Sequence, residues 1–262
     1  MSAAAVPALH NESNHVLALL DSLTDAEWAA PSGCTGWRVQ DVVAHMAAVF
    51  RSICGDTSIP SDPTGDAEKS AELAVAPRKS WTPAQVAAEY REWAPQGIGA
   101  LSALQEPPMG DTVIPLGNLG KHPMHILANA IVFDHYCHLR HDIGAAIPRA
   151  AALPRDPGSL GPTVEWMLMG LPQMCAEALA GAPKQAVNLH FDGVAEQDFV
   201  LEPGTELWTV RPGTQSGAPT LRTTAHDFVS WGTKRADWRA TSTLEGTGAA
   251  AAALVLDALN II

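Results

Sequence analysis

The chain is short of positive charge. It carries 16 Lys and Arg against 28 Asp and Glu, a formal net charge of −12. Phosphate backbones and anionic membrane surfaces require clustered cations, so neither nucleic acid nor a membrane is expected as a partner. Long apolar runs are missing too, and none approaches the roughly 20 residues of a membrane-spanning helix. Cys34, Cys54, Cys137 and Cys175 are scattered without paired spacing. That usage suits reduced thiols in a cytoplasmic protein better than a disulfide framework. The opening Met-Ser-Ala-Ala-Ala-Val-Pro-Ala-Leu-His has no basic segment ahead of an apolar one, so a signal peptide is not expected. No internal repeat and no glycine-rich phosphate loop is visible; Gly246-Thr-Gly248 lacks the flanking pattern for nucleotide binding. What remains is a 262-residue chain, 47% hydrophobic and 17% charged, with the composition of a globular protein of one large or two ordinary domains.

The most chemically loaded stretch runs from His122 to Asp142 and reads as helix. On a 3.6-residue period Leu127, Ile131, Asp134, His138 and His141 follow one another along a single face. An apolar stripe that turns into carboxylate and imidazole needs something to satisfy those groups. Asp134 and His138 are four residues apart, so both side chains reach one point above the helix. A divalent metal would satisfy them, and so would a buried hydrogen-bond network; spacing alone leaves both open.

Ahead of this stretch, residues 8–30 read as a first helix, and Thr24-Asp-Ala-Glu27 then starts a short turn or helix with the look of a capping box. Residues 37–50 form a second, whose stripe is Val39, Val42, Val43, Met46, Val49 and Phe50. His45 sits at the edge of that stripe, where a lone histidine is usually a boundary residue unless another helix offers partners. Residues 55–80 and 106–120, rich in Gly and Pro, read as loops. Between them a third helix begins at Thr82-Pro83, and Pro95 and Gly97 are expected to kink or interrupt it. Four helices joined by loops suggest a bundle able to hold a metal between facing helices.

Residues 147–162 contain four prolines and two glycines and are the best linker, with a helix following from Val164 to Leu179. Beyond it the apolar period alternates. Residues 187–191, 199–201, 207–210, 221–224 and 240–244 read as strands, and residues 225–234 and 248–259 as helices. The expected architecture is α plus α+β: an N-terminal helical bundle over residues 1–155, then a small antiparallel sheet domain with helices over residues 156–262.

Gly36-Trp37-Arg-Val-Gln-Asp41-Val-Val-Ala-His45 resembles the Gly-Trp-Thr-Val-x-Asp-Val-x-x-His signature of mycothiol-dependent maleylpyruvate isomerase-like proteins. Asp134-x-x-x-His138 followed by Asp142-Ile143 resembles that family's Glu-x-x-x-His and Asp-Ile or Asp-Leu. Trp231-Gly-Thr-Lys-Arg235, with Leu244-Glu-Gly246 after it, is similar to the family's arginine-bearing turn and closing strand. The resemblance implies a DinB-like metal-binding four-helix bundle joined to a sterol-carrier-like domain. It implies His45, Asp134 and His138 as ligands of a divalent metal, zinc best suiting two imidazoles and a carboxylate with open positions. Two departures stand out: Asp replaces Glu at 134, and Asp142 lies four residues after His138 where the family has three. A competing ligand set drawn from His135, His141 or Asp142 therefore stays open, while His122 and His125 are left to surface or loop roles.

The resemblance further implies mycothiol as thiol cofactor or co-substrate and a small electrophile as substrate. A coordinated thiol is held as thiolate near neutral pH. In the isomerase such a thiolate adds to a cis-enedione acid, the resulting single bond rotates, and elimination gives the trans isomer. Without the return elimination the same site would be an S-transferase. Arg235 would be the catalytic-site arginine that clamps a substrate carboxylate. Trp37 reads as a packing anchor and Cys137 as a small buried side chain. A non-catalytic binder of a small molecule or lipid, and a hydrolase using metal-bound water, are the alternatives, and the chain is expected to be a monomer or homodimer.

Overall fold

Helix starts are well marked along this chain. Thr24 takes a hydrogen bond from the Glu27 backbone N–H at 3.3 Å, and Glu27 takes one from the Thr24 N–H at 2.9 Å. Thr82 and Gln85 repeat this reciprocal cap, with Pro83 in the first turn. The computed structural model describes residues 4–194 and 196–262. These divide into two compact units, Met1–Pro154 and Arg155–Ile262.

In the first unit the elements are α1 (Ala5–Leu20), α2 (Asp25–Ala29), α3 (Val39–Ile53), α4 (Ala67–Val75) and α5 (Pro83–Ala103). A two-stranded hairpin, β1 (Val113–Pro115) and β2 (Lys121–Pro123), precedes α6 (Leu127–Cys137). The last helix continues as a π-helical segment, His138–Ile143, before the short α7 (Pro148–Ala151). Helices α1, α3, α5 and α6 bury their apolar faces in one core, with Leu9 and Val16 from α1, Met46 and Phe50 from α3, Val86 and Leu101 from α5, and Val132 from α6. Each such side chain contributes about 1.5–3 kcal/mol of burial.

Three expectations change here. Residues 55–80 are not all loop: Asp66 caps α4 through the Lys69 N–H, and a 3₁₀ turn follows at Ala76–Ser80. That segment is held by charge rather than by apolar periodicity. Buried Glu89 accepts from Arg78 Nε and Nη2 and from Arg51 Nη1, all at 2.7 Å. Second, Pro95 and Gly97 do not interrupt α5, which continues through both as helix. Pro95 is exposed, so its missing N–H falls on the solvent side, and Gly97 is a contact point rather than a break. A Cβ at Gly97 would lie 2.3 Å from Phe50 Cδ1. Third, the His122–Asp142 stretch opens as a strand and a 3₁₀ turn, becoming α-helical only at Leu127. His122 is buried, its Nε2 2.8 Å from the Leu119 carbonyl, and is not a surface residue.

A second buried charge pair ties the ends of this unit together. Arg140 of the π segment makes a two-pronged contact to Glu12 of α1 at 2.7 and 3.0 Å, with both side chains fully buried. The same guanidinium donates to the Pro154 carbonyl and stacks on the Tyr136 ring at 3.9 Å.

The second unit starts inside the stretch expected to be linker. Asp156 caps α8 (Pro157–Met174) through the Ser159 N–H at 3.1 Å, and Pro157 occupies the first turn. After α9 (Ala176–Ala180), strands β3 (Val187–Asp192), β4 (Gln197–Glu202), β5 (Thr209–Pro212), β6 (Thr220–Thr224) and β7 (Thr243–Glu245) form a sheet in the order β5-β4-β3-β6-β7. Its pairings are antiparallel apart from the central β3–β6 pair, which is parallel. Helix α10 (Ala225–Gly232) lies between β6 and β7 in sequence and packs Phe228 against Phe191 of β3, ring centroids 5.2 Å apart. Helix α11 (Ala249–Asp257) closes the unit. No helix among the described residues is long and apolar enough to cross a membrane.

The Gly97–Phe50 contact makes a direct forecast. Gly97→Val should destabilise by about 1–3 kcal/mol through overpacking, despite valine's better helix propensity. Thermal or urea unfolding checks this, and an unchanged midpoint would show that α3 and α5 do not need so close an approach.

Candidate metal centre

Helix α3 carries His45 on the edge of its apolar stripe. Helix α6 brings Asp134 to its last turn, and the π segment begins at His138. The four-residue spacing brings Asp134 and His138 to one place, and the π turn that follows is of a kind that often occurs at functional sites. His45, Asp134 and His138 converge, with one donor atom of each within 4.8 Å of the others. His45 Nε2 is 2.9 Å and His138 Nε2 3.4 Å from the same oxygen, Asp134 Oδ1. The two imidazoles meet nearly edge-on, centroids 5.0 Å apart.

Proton placement makes the cluster demanding. His138 Nδ1 lies 2.7 Å from Asp142 Oδ2. A carboxylate only accepts, so Nδ1 carries the proton and a neutral His138 would turn the Nε2 lone pair toward Asp134 Oδ1. Two lone pairs cannot face each other at that distance without a proton or a cation between them. Burial works against a charged His138, but the Asp134 charge and the hydrogen bonds the ring donates to Asp134, Asp142 and Cys34 outweigh it and raise its pKa well above the ordinary histidine value. Burial likewise opposes the Asp134 carboxylate, yet His138 and His45 hold its pKa well below the ordinary value. The second oxygen, Oδ2, is buried without a hydrogen bond. Its neighbour at 3.4 Å is His135 Nδ1, which is closer to the Ile131 carbonyl at 3.0 Å.

These observations fit a cation. Ligands at about 2.0–2.2 Å around a tetrahedral zinc stand roughly 3.3–3.5 Å apart, and the donors are within a few tenths of an ångström of that around Asp134. The orphaned carboxylate oxygen and the facing nitrogens are the groups that a cation would satisfy. Two imidazoles and a carboxylate leave positions open, the arrangement of catalytic rather than structural zinc. Asp134, shorter than Glu by a methylene, still reaches both histidines.

The competing candidates separate. His135 is fully buried and spends Nε2 on the Tyr90 hydroxyl at 3.0 Å, so it belongs to the bundle core. Asp142 faces Nδ1 of His138 rather than the three-donor cluster, and it fixes the ring's tautomer and direction. It is itself held by the loop before α3, whose Gly33 N–H donates to the Asp142 carbonyl at 2.8 Å. A Cβ at Gly33 would lie 3.0 Å from Asp142 Cα. That loop also places Cys34, whose Sγ is 3.9 Å from His138 Nδ1 and which residue periodicity does not connect with the site. Its position two residues before Gly36-Trp37 was the available signal. Trp37 acts as the anchor expected of it, donating from Nε1 to Glu72 at 2.6 Å with its ring 5.5 Å from His45. Cys137 is buried, as expected. Arg235 belongs to the second unit. It is exposed in the turn after α10, where its N–H closes onto the Ser230 carbonyl at 2.9 Å and Lys234 adopts a left-handed φ of 59°.

The fold has solved relatives. Crystal structures of the mycothiol-dependent maleylpyruvate isomerase and of a histidine-to-alanine mutant of it each superpose with a TM-score of 0.56. In both, 92% of this chain and 91% of that chain are covered at 13% sequence identity. At that identity the likeness is one of fold. No curated protein sequence matches the chain. The family model described as the mycothiol maleylpyruvate isomerase N-terminal domain matches residues 9–144, more than half of the chain and all of the three-donor cluster. The chain belongs to the mycothiol-dependent maleylpyruvate isomerase-like family.

Proposed function

We propose that this protein is a metal-dependent enzyme that uses mycothiol, isomerising a maleylpyruvate-like cis-enedione acid or transferring the thiol to a small electrophile. The observation that carries this reading is the convergence of His45, Asp134 and His138 on one point, with a carboxylate oxygen facing two imidazole nitrogens. We take these three residues as the metal ligands and zinc as the metal their chemistry suits best. Family membership supports the thiol and the reaction class.

A bound zinc would supply the charge that holds a thiol as thiolate near neutral pH. The chain's own residues do the rest. Asp142 keeps the His138 proton on Nδ1 and leaves Nε2 directed at the cluster. Asp134 contributes negative charge that favours a cation between the two imidazoles. Trp37 holds the His45 ring from one side. Arg235 is the residue we assign to a substrate carboxylate, because its planar fork matches that group. In this reading residues 1–155 are a DinB-like metal-binding bundle and residues 156–262 a sterol-carrier-like domain.

Purified protein should hold one tightly bound zinc, and His45→Ala or Asp134→Asn should lose it, as measured by metal analysis after dialysis. Stoichiometric zinc retained in both variants would remove the ligand assignment. Zinc must displace the proton held on His138 Nε2 in the metal-free chain. Binding at pH 7 should therefore release protons, and affinity should fall as the pH is lowered from there. Calorimetry in buffers of different ionisation enthalpy reads that proton count, and a count of zero contradicts the assignment of His138. Turnover of a carboxylate-bearing electrophile should require mycothiol, and Arg235→Ala should raise KM by about tenfold or more, the worth of a charged hydrogen bond. Turnover without any thiol would point instead to a hydrolase.

A further inference from the structure

His138 is flanked by a second set of donors on the side away from His45. Cys34 Sγ, His138 Nδ1 and an Asp142 carboxylate oxygen also lie within 4.8 Å of one another. None of the three atoms belongs to the cluster on Nε2. Cys34 is partly exposed and free, while Asp142 is 1% exposed. A cleft of about 300 Å³, lined by Ser32, Gly33, Cys34, Thr35 and Trp37 among others, gives the thiol an approach from solvent.

We propose that Cys34 Sγ, His138 Nδ1 and the Asp142 carboxylate form a second cation position, selective for thiophilic divalent ions such as Cd²⁺. The spacing is close to what such an ion needs. With zinc-like bonds of about 2.3 Å to sulfur and 2.0–2.1 Å to nitrogen, a tetrahedral sulfur–nitrogen edge is roughly 3.5 Å, and a nitrogen–oxygen edge roughly 3.3 Å. The observed 3.9 Å and 2.7 Å require one edge to close and the other to open by about half an ångström. The partly exposed Cys34 loop can close the sulfur–nitrogen edge, and rotation of the His138 ring or the Asp142 carboxylate would open the nitrogen–oxygen edge.

Donor chemistry sets the selectivity. A thiolate beside one imidazole and one carboxylate favours softer ions than the two imidazoles and carboxylate of the neighbouring cluster. Binding displaces two protons to solvent, one from the Cys34 thiol and one from His138 Nδ1, and forms bonds from sulfur, nitrogen and oxygen to the ion. It also takes Nδ1 away from Asp142. With Nδ1 and Asp142 both bound to one ion, that ion would set the direction of His138 toward Asp134 in place of the hydrogen bond. The two positions communicate through one ring.

The experiment is a Cd²⁺ titration of the metal-free, full-length chain in a Cys54→Ser background, which removes the exposed thiol. The readout is the ultraviolet thiolate-to-metal charge-transfer absorption. The band should appear with one equivalent of thiolate ligand per chain, vanish in Cys34→Ser, and weaken at least tenfold in apparent affinity in Asp142→Asn. His45→Ala should retain the band, because His45 plays no part in this position. Absence of the band in the parent chain, or its persistence in Cys34→Ser, would overturn the proposal. Circular dichroism of Cys34→Ser guards against loss of fold, and Cys34→Ala provides a second variant if serine is not tolerated. The proposal does not depend on the functional reading: a parent chain that shows the Cd²⁺ band but binds no zinc at His45 would retain the second position and remove the first.

Discussion

One carboxylate oxygen, Asp134 Oδ1, has to serve two imidazoles, and much of the first unit can be understood as the means of holding that arrangement. A carboxylate withdrawn from water is costly unless charge or hydrogen bonds compensate it. Here the compensation comes partly from the same helical run and partly from a helix remote in sequence. His45 arrives on α3 and His138 at the end of α6, so the cluster exists only while those two helices keep their spacing. The close passage of Gly97 against Phe50 sets α5 against α3 on one side. On the other, the Glu12–Arg140 pair locks α1 to the segment that carries His138.

The buried charges outside the site divide the labour in an unusual way for a helical bundle. The apolar core orients α1, α3, α5 and α6, but the connections between them are tied by ions. Glu89 gathers Arg51 from α3 and Arg78 from the turn after α4. Removing one member of such a set leaves an uncompensated charge, a far larger penalty than the set's net contribution to stability. These pairs fix where the connecting segments lie more than how stable the fold is.

Periodicity carried most of the architecture. The stripes of α1 and α3, the switch to alternating residues after α9, and the order of strands and helices in the second unit were all readable from residue pattern. What escaped was held by means other than periodicity. Residues 67–80 fold through Asp66 capping and the Arg78–Glu89 pair, neither of which leaves an apolar signature. Asp156-Pro157 is a good helix start that was hidden among the prolines of a presumed linker. Gly97 looked like a breaker because its partner, Phe50, is 47 positions earlier in the chain. At the site, the cluster of His45, Asp134 and His138 was suggested by family resemblance and by the four-residue spacing. Cys34 was not, since a loop thiol has no periodic reason to lie beside a histidine more than a hundred residues away. Nor could spacing foresee the π turn that begins at His138.

That turn also bears on how the site can vary over evolutionary time. A π segment holds one residue more than an α-helix over the same rise, so it stores an insertion without shifting what comes before or after it. Asp142, four positions beyond His138 in this segment, hydrogen-bonds the ring. Arg140, inside the same widened turn, still reaches Glu12. The end of this helix is therefore where a change of chain length would be taken up locally, leaving the polar groups on either side of it with their partners.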